Sequence, residues 1–230
     1  MSEPLLVTFD LFSALTDSAT GGSAALGAIA AGRGWPVGGA ELYAAWDSRN
    51  KAAQRTAAPP TTFAEVSAGA LAAAYDDLGL DGPQARADMG AVHGGVGDWP
   101  LWPDVAAGVA AVAALPGVAA VGLLSNVDDA LARRTRAAGL VDADWLLTSQ
   151  RLGAFKPDPA IYARAAEAAS GAGLRLVHVA ASARDVRGAL EAGITAVRLA
   201  RPGHALDPDG PAPPHEVADA GDLAGLLDGL

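Results

Sequence analysis

The sequence contains no cysteine and very little lysine. The absence of cysteine excludes disulfides and thiolate metal sites, and it leaves no basis for reading the redox compartment. Lysine occurs only at Lys51 and Lys156, and every other basic residue is arginine. Because ordinary surface positions are filled with arginine, a retained lysine indicates a chemical need for a compact, flexible ammonium.

Positive charge and long apolar runs are also scarce. The chain has 16 basic and 26 acidic residues and a formal charge of -10, which argues against nucleic acid or an anionic membrane as a partner. No uninterrupted apolar stretch reaches the ~20 residues of a membrane span, and Met1 to Pro4 offer no basic region of a signal segment. We therefore expect a soluble, cytoplasmic protein. Oligomeric state is undetermined, which leaves a homodimer open.

Short apolar runs alternate with helical patterns rich in alanine and leucine. This alternation predicts an α/β fold, with a Rossmann-like parallel sheet covered by helices on both faces. The predicted strands are Leu5 to Phe9, Val118 to Leu124, Trp145 to Thr148, Leu174 to Val179 and Ile194 to Leu199. The predicted helices between them include Asp104 to Leu115, Asp128 to Ala138, Ala160 to Ala169 and Val186 to Ala192.

The gap between the first two predicted strands has a different character. It shows no convincing strand, and one of its helix-like segments opens with a capping box at Thr62 to Glu65. The others cover Ser23 to Arg33, Ala40 to Gln54 and Gln84 to Val92. We predict a helical cap domain at residues 17–97, inserted into a core of residues 1–16 and 98–230. The stretch from Arg201 to Pro214 is predicted to be a loop before a short last helix.

Asp10 is the first candidate for a functional residue. It ends the first apolar run, and α/β proteins build their sites at the carboxyl ends of such strands. This position makes Asp10 a candidate nucleophile. The alternative is that its carboxylate only caps the strand or starts a turn.

Lys156 is the second candidate. It lies between Gly153 and Pro159 in a loop whose prolines fix the backbone just before a predicted helix. An ammonium beside a carboxylate nucleophile would hold it ionised and neutralise an anionic substrate or leaving group. The alternative is a solvated loop lysine.

The ends of the predicted strands present a series of such residues in chain order. They are Asp10, Ser125 with Asn126, Lys156, and the segment Ala181 to Asp185. This order and context resemble the haloacid dehalogenase superfamily, which carries four motifs at these places on a Rossmann-like core with a helical cap. The resemblance covers nearly the whole chain.

The resemblance implies a role for each residue of the first two motifs. Asp10 would attack the substrate carbon or phosphorus, with the backbone N–H groups of Leu11 and Phe12 near the developing charge. Ser125 and Asn126 would hydrogen-bond the nucleophile or the anionic group of the substrate. Alternatively, Ser125 caps the helix that follows it.

The later motifs supply the groups that support the nucleophile. Lys156 would steady the Asp10 carboxylate, and Asp185 would hold Lys156 and orient the hydrolytic water. Ser182 is a further candidate for substrate binding. Alternatively, Asp185 caps the helix that it opens.

Two departures from the pattern indicate the chemistry. Phosphatases of the superfamily carry a second aspartate where this chain has Phe12, and a Mg²⁺-binding aspartate where it has Ala181. Losing one of two carboxylates weakens a Mg²⁺ site greatly. Metal-independent 2-haloacid dehalogenases have an aromatic residue at the first position, and halide needs no proton to leave. We therefore predict a dehalogenase-like hydrolase without a cofactor, whose partner is a small-molecule substrate, a 2-haloacid or a similar compound.

Other departures keep alternatives open. Dehalogenases usually carry threonine where this chain has Ala14, and an arginine after the cap tryptophan where Trp46 is followed by Asp47. Arg49, nearby on the same helix, is placed either to reach the pocket and hold the substrate or to face solvent. The alternatives are a Mg²⁺-dependent phosphatase with an atypical metal site and a noncatalytic protein that binds a ligand in the cap cleft.

Overall fold

The protein is described by a computed structural model that covers residues 3–206 and 208–230. These residues form a parallel sheet with the strand order β3-β2-β1-β4-β5-β6. Its strands are β1 (Leu5–Phe9), β2 (Val118–Ser125), β3 (Leu146–Thr148), β4 (Arg175–Ala180), β5 (Thr195–Leu199) and β6 (His215–Val217). The predicted α/β fold is confirmed, because helices cover the sheet.

The helices fall into two groups. Those between β1 and β2 comprise a long helical insertion and one core helix: α1 (Ser18–Arg33), α2 (Gly39–Gln54), α3 (Phe63–Asp77), α4 (Ala85–Gly94) and α5 (Val105–Ala113). The later ones are α6 (Asp129–Ala132), α7 (Ser149–Leu152), α8 (Pro159–Gly171), α9 (Ala183–Glu191) and α10 (Leu223–Leu227). Helices α1 to α4 form the all-helical cap, whereas its exact limits at residues 17 and 97 stay a prediction.

The central strand β1 is buried along its whole length. Val7 and Phe9 pack into the larger apolar cluster, on the side of the cap and α5, whereas Leu6 packs into a second cluster with α8. A strand covered on both faces reads as a continuous apolar run rather than an alternating one. This is why the sequence signal for β1 is strong.

The order of the strands reverses direction beside β1. The chain runs outward from β1 to β2 and β3, and it then crosses back to β4 on the other side of β1. Ligands of open parallel sheets bind in the crevice at such a switch point, beyond the carboxyl ends of the strands. Asp10 follows β1 at this crevice, and its N–H donates to the Val179 carbonyl oxygen at 2.9 Å.

The predicted capping box is present at the start of α3. The Thr62 side chain accepts from the Glu65 N–H, and the Glu65 carboxylate accepts from the Thr62 N–H at 2.9 Å. A second carboxylate reaches this helix from the core, since Asp128 accepts from the N–H groups of Phe63 and Ala64, both at 2.9 Å. The first turn of α3 is thereby bonded to the loop after β2.

Two sequence predictions differ from the structure. Strand β6 lies just after the predicted 201–214 loop, and its three residues at the sheet edge are too few to give a periodic pattern. The helix predicted at Asp128 to Ala138 is shorter, because α6 ends at Ala132 and a 3₁₀ turn follows at Arg136–Leu140. The Thr135 hydroxyl donates to the Ala132 carbonyl at 2.7 Å and accepts from Ala138 N–H, local bonds that compete with an α-helix. Among the described residues, no helix is both long and apolar enough to cross a bilayer.

Candidate active site

The chain leaves β1 through a tight turn that fixes the Asp10 side chain. Ser13 adopts a left-handed backbone with a φ of 77°, a conformation that costs a non-glycine residue about 1–2 kcal/mol. Hydrogen bonds hold the turn closed, since Thr16 N–H donates to the Leu11 carbonyl at 3.0 Å and the Trp102 indole N–H donates to the Ser13 carbonyl at 2.9 Å. The nucleophile candidate therefore sits on a rigid support.

The two oxygens of the Asp10 carboxylate have different surroundings. Oδ1 accepts from Lys156 Nζ at 2.8 Å and from Ser125 Oγ at 3.2 Å. Within residues 3–206 and 208–230, Oδ2 has no hydrogen-bond partner. One oxygen thus orients the carboxylate, and the other is free to react.

The loop that carries Lys156 is held by an amide on the neighbouring strand end. Helix α7 ends at Gly153, whose φ of 62° suits glycine and turns the chain toward the sheet. Asn126 Oδ1 then accepts from the Lys156 backbone N–H at 2.6 Å, and its Nδ2 donates to the Lys156 carbonyl at 2.9 Å. Asp158 caps α8, which begins at Pro159. Asn126 therefore positions the lysine loop.

Lys156 is buried, and its ammonium is fully used. Besides Asp10 it contacts Asp185 Oδ2 at 2.5 Å and the Leu124 carbonyl at 2.8 Å. The three N–H donors of an ammonium are thus all engaged. The ammonium joins the strand ends of β1, β2 and β4 in one network.

Asp185 is the most heavily bonded carboxylate of the site. Tyr162 donates its hydroxyl to Oδ1 at 2.8 Å, and His178 Nε2 lies 3.2 Å from the same oxygen. The other ring nitrogen of His178 lies 3.0 Å from Thr8 Oγ1. His178 is thus a core histidine with a partner at each ring nitrogen, and one of these partners, Asp185, belongs to the site. Gly188 is needed beside Tyr162, because a Cβ there would lie 2.8 Å from the Tyr162 oxygen.

Burial and charge divide the two carboxylates electrostatically. Burial raises the pKa of Asp10 above its ordinary value, against the attraction of the Lys156 ammonium. Burial acts in the same direction on Asp185, but Lys156 and His178 outweigh it and hold the pKa of Asp185 below its ordinary value. Burial alone would lower the pKa of Lys156, yet Asp10 and Asp185 raise it. Asp185 therefore stays charged most firmly, and Asp10 is the more basic of the two.

Above these groups lies a cavity lined by residues of both the core and the cap. Its volume is about 80 Å³, and because a water molecule needs roughly 10–15 Å³, it holds a molecule of only a few heavy atoms. One wall is aromatic: the Phe12 ring lies 6.2 Å from Phe63 and 6.0 Å from Trp99, measured between ring centroids. Trp46 lines the same cavity. A small, partly apolar substrate fits this space.

The structure brings together most of the residues that the sequence predicts for the site. Those that line the cavity are Asp10, Phe12, Ser125, Asn126, Lys156, Ser182 and Asp185. The Leu11 side chain instead packs in the apolar core, and a role for its N–H stays a prediction. Arg49 does not line the cavity: its guanidinium is half exposed and forms an ion pair with Asp77. Of the two placements open for Arg49, the structure shows the one facing solvent.

Sequence reasoning assigned no role to several polar residues of the cavity, among them Arg184, Lys51 and Asn50. Arg184 lies in the first turn of α9, directly before Asp185, and its nearness to the fourth motif was the available signal. Lys51 is the only other lysine of the chain, and rarity alone marked it. Asn50 carries no distinguishing sequence signal.

The donor set near Asp10 does not fit a magnesium ion. Mg²⁺ requires near-octahedral oxygen coordination, usually with one or two carboxylates. No group of three or more histidine, aspartate or glutamate side chains able to hold a metal occurs in the described part of the chain. The Lys156 ammonium itself contacts both nearby carboxylates, and Ala181 offers no side-chain ligand. No step through a metal follows from these residues.

Comparison with known proteins gives the same class. The family model for haloacid dehalogenase-like hydrolases matches residues 5–193, so the chain belongs to this family and is a hydrolase by that membership. None of the curated proteins compared matches it.

Solved structures share the fold along the whole chain. The L-2-haloacid dehalogenase PA0810 is 25% identical with a TM-score of 0.75, and the match covers 97% of this chain and 99% of that one. The L-2-haloacid dehalogenase from Xanthobacter autotrophicus with chloropropionic acid covalently bound is 23% identical with a TM-score of 0.76, covering 98% of each chain. The putative HAD-hydrolase YfnB from Bacillus subtilis, bound to magnesium, is 15% identical with a TM-score of 0.76, covering 99% and 100%.

Proposed function

We propose that the chain is a metal-independent, dehalogenase-like hydrolase that uses Asp10 to displace halide from a small 2-halocarboxylate or a similar substrate. The observation that carries this proposal is the unequal bonding of the Asp10 carboxylate. Oδ1 is held by Lys156 and Ser125, whereas Oδ2 has no partner among the described residues and belongs to a residue that lines a small cavity.

In the first step, Asp10 Oδ2 forms a bond to C2 of the substrate while the bond from C2 to the halogen breaks. The halide leaves with the electron pair, and an aspartyl ester remains. No proton is transferred, so the aromatic Phe12, which cannot act as an acid, is no obstacle. The relatively basic Asp10 carboxylate is the better nucleophile of the two buried carboxylates.

In the second step, water attacks the carbonyl carbon of that ester, the 2-hydroxy acid leaves, and the Asp10 carboxylate is restored with release of a proton. The ester carbonyl oxygen is then Oδ1, which already faces Lys156 Nζ and Ser125 Oγ. The same two donors that orient the nucleophile therefore stabilise the oxyanion. We assign Asp185 the task of fixing Lys156 and orienting the attacking water.

Phosphoryl transfer receives less support from these residues. It would need an acid for the leaving oxygen and neutralisation of the phosphoryl charge, usually by a metal. Phe12 supplies no proton, and the carboxylates near it are bonded to Lys156. Carbon chemistry, in which a stable anion leaves, makes fewer demands on this site.

The test is halide release from a panel of small 2-haloacids, beginning with 2-chloropropionate, in the presence of EDTA. We expect release that is indifferent to EDTA and falls below about a thousandth of the wild-type rate in Asp10→Asn. Single turnover in ¹⁸O-labelled water should place the label in the Asp10 carboxylate.

Asp144→Asn is the matched control, since Asp144 is an exposed aspartate and does not line the cavity. It should release halide at the wild-type rate. Absence of halide release from every haloacid would reject the proposal. Phosphate release that requires Mg²⁺ would favour the phosphatase alternative instead.

A further inference from the structure

The Arg184 guanidinium is a partly buried cation in the wall of the cavity. It donates to the Lys51 carbonyl at 3.1 Å and to Gln54 Oε1, both at the carboxyl end of the cap helix α2. These two acceptors are neutral. Among the described residues, Arg184 forms no ion pair with a carboxylate, although Asp185, its neighbour in the chain, is in the same site.

A guanidinium has five N–H donors, and the remaining donors of Arg184 have no partner within residues 3–206 and 208–230. Leaving the donors of a charged group unpaired in a cavity costs free energy unless a ligand completes them. The planar fork of arginine matches the two oxygens of a carboxylate. The fork is also anchored on one side, so little conformational freedom is left to lose on binding.

Asn50 gives a second, independent indication of a ligand. It lines the same cavity, directly before Lys51 in the chain, and is only 5% exposed. Its Oδ1 has no hydrogen-bond partner among the residues that the structure describes. A buried amide oxygen normally accepts a hydrogen bond, so this oxygen can accept one from a hydroxyl or N–H group of a bound molecule.

The two lysines of the cavity are paired with carboxylates and form no ion pair or hydrogen bond with the free donors of Arg184 or with Asn50 Oδ1 among the described residues. Lys51 Nζ forms an ion pair with Asp47 at 2.5 Å, which compensates the negative charge of Asp47. Lys156 is shared by Asp10 and Asp185. Arg184 is the cation of the cavity that has no carboxylate partner in the described chain.

We propose that Arg184 binds the carboxylate of the substrate and that Asn50 accepts a hydrogen bond from a donor on the bound molecule, as in a 2-hydroxycarboxylate. This assignment deepens the proposed function and rests on it for the reaction, but not for binding. It moves recognition of the anion from the solvent-facing Arg49 of the cap to a residue of the core. The product of dehalogenation carries both matching groups.

Binding is measured by calorimetry with three halogen-free probes: propionate, the neutral propionamide, and lactate. Ionic strength is held constant in a buffer without carboxylates. Wild-type protein should bind propionate at least about tenfold more tightly than propionamide, as expected for charged hydrogen bonds. Arg184→Gln should bring that ratio close to one.

Lactate should bind about three- to tenfold more tightly than propionate through its hydroxyl. Asn50→Leu should remove the preference for lactate and keep the preference for propionate over propionamide. Lactate that binds no better than propionate to the wild-type protein would overturn the assignment of Asn50.

Arg49→Gln is the matched control and should behave as the wild type with all three probes. Arg184→Lys keeps the charge without the fork and should give an intermediate ratio, which decides the question should Arg184→Gln fail to fold. A purely structural role for Arg184 would weaken propionate and propionamide binding equally. That result, or wild-type protein that binds no propionate, would overturn the proposal.

Because the probes carry no leaving group, the outcome does not depend on turnover. Carboxylate binding through Arg184 without halide release from any haloacid would reject the proposed reaction and retain this subsite. Halide release with an unchanged Michaelis constant in Arg184→Gln would retain the proposed reaction and reject the subsite at Arg184.

Discussion

The cavity has two walls that differ in their bonding: the core wall, formed by residues at the ends of the strands, and the cap wall, formed by residues of helices α1 to α4. On the core wall, Asp10, Ser125, Lys156 and Asp185 form one continuous hydrogen-bonded network on the ends of the strands. The cap wall carries the rings of Tyr43, Trp46 and Phe63, and its polar groups include the Asn50 amide oxygen, which has no partner among the described residues, and a partly exposed ion pair between Lys51 and Asp47. The continuous hydrogen-bonded network thus lies at the ends of the strands, whereas the cap contributes rings and polar groups that this network does not include.

The largest difference between the two walls is expected when each of the two lysines is replaced. Lys156→Met leaves Asp10 and Asp185 buried without their shared ammonium, and removing one partner of a buried ion pair costs about 3–5 kcal/mol. Lys51→Met removes only a half-exposed pair on a helix, worth roughly 0.2–0.5 kcal/mol. Urea unfolding at pH 7 measures both. Equal losses would show that the walls do not differ.

A second prediction uses the histidine of the cap wall. Burial lowers the pKa of His93 from 6.5 to about 4, so the unfolded chain takes up its proton at a higher pH than the folded one. Stability is therefore lost as pH falls from about 6.5 to about 4, by roughly 3 kcal/mol for this group. His93→Gln should lose that much less than the wild type between pH 7 and pH 4 in urea unfolding. Parallel stability curves for the two proteins would contradict this.

A third prediction concerns the contact between the walls. Asp128→Ala removes the core carboxylate that accepts from the first N–H groups of α3, and loss of such a cap costs about 1 kcal/mol. Thr62→Ala, which removes the cap from within the same helix start, is the reference. Limited proteolysis should cut the cap faster in Asp128→Ala than in Thr62→Ala, because Asp128 bonds α3 to the core whereas Thr62 bonds within the cap. Equal cleavage would place the connection elsewhere.

The smallest effect is expected at Arg49. Its exposed ion pair with Asp77 lies outside the cavity, and exposed pairs contribute little. Arg49→Gln should leave both the urea midpoint and the Michaelis constant for a haloacid unchanged. A raised Michaelis constant would return Arg49 to the substrate site and weaken the contrast between the walls.

The residues of the core wall could be predicted from the sequence more completely than those of the cap wall, for physical reasons. Strand β1 is covered on both faces, so its apolar run and the Asp10 that ends it stand out, and Lys156 stands out because lysine is rare. The part played by Arg184 depends on how α9 meets α2, 130 positions apart in the chain from Arg184 to Gln54. Such a long-range contact leaves no local pattern. Strand β6 was not predicted for a different reason, because a strand of three residues is too short to show a periodic pattern.

One oxygen of the cap, Gln54 Oε1, accepts from Asn126 at 2.9 Å and from Arg184. Asn126 also forms two hydrogen bonds with the backbone of Lys156. Lifting the cap would break both bonds at that oxygen in a single movement. Opening of the cap would thus remove a partner from the same amide that holds the lysine loop, which couples entry to the cavity with the support of the ammonium beside Asp10.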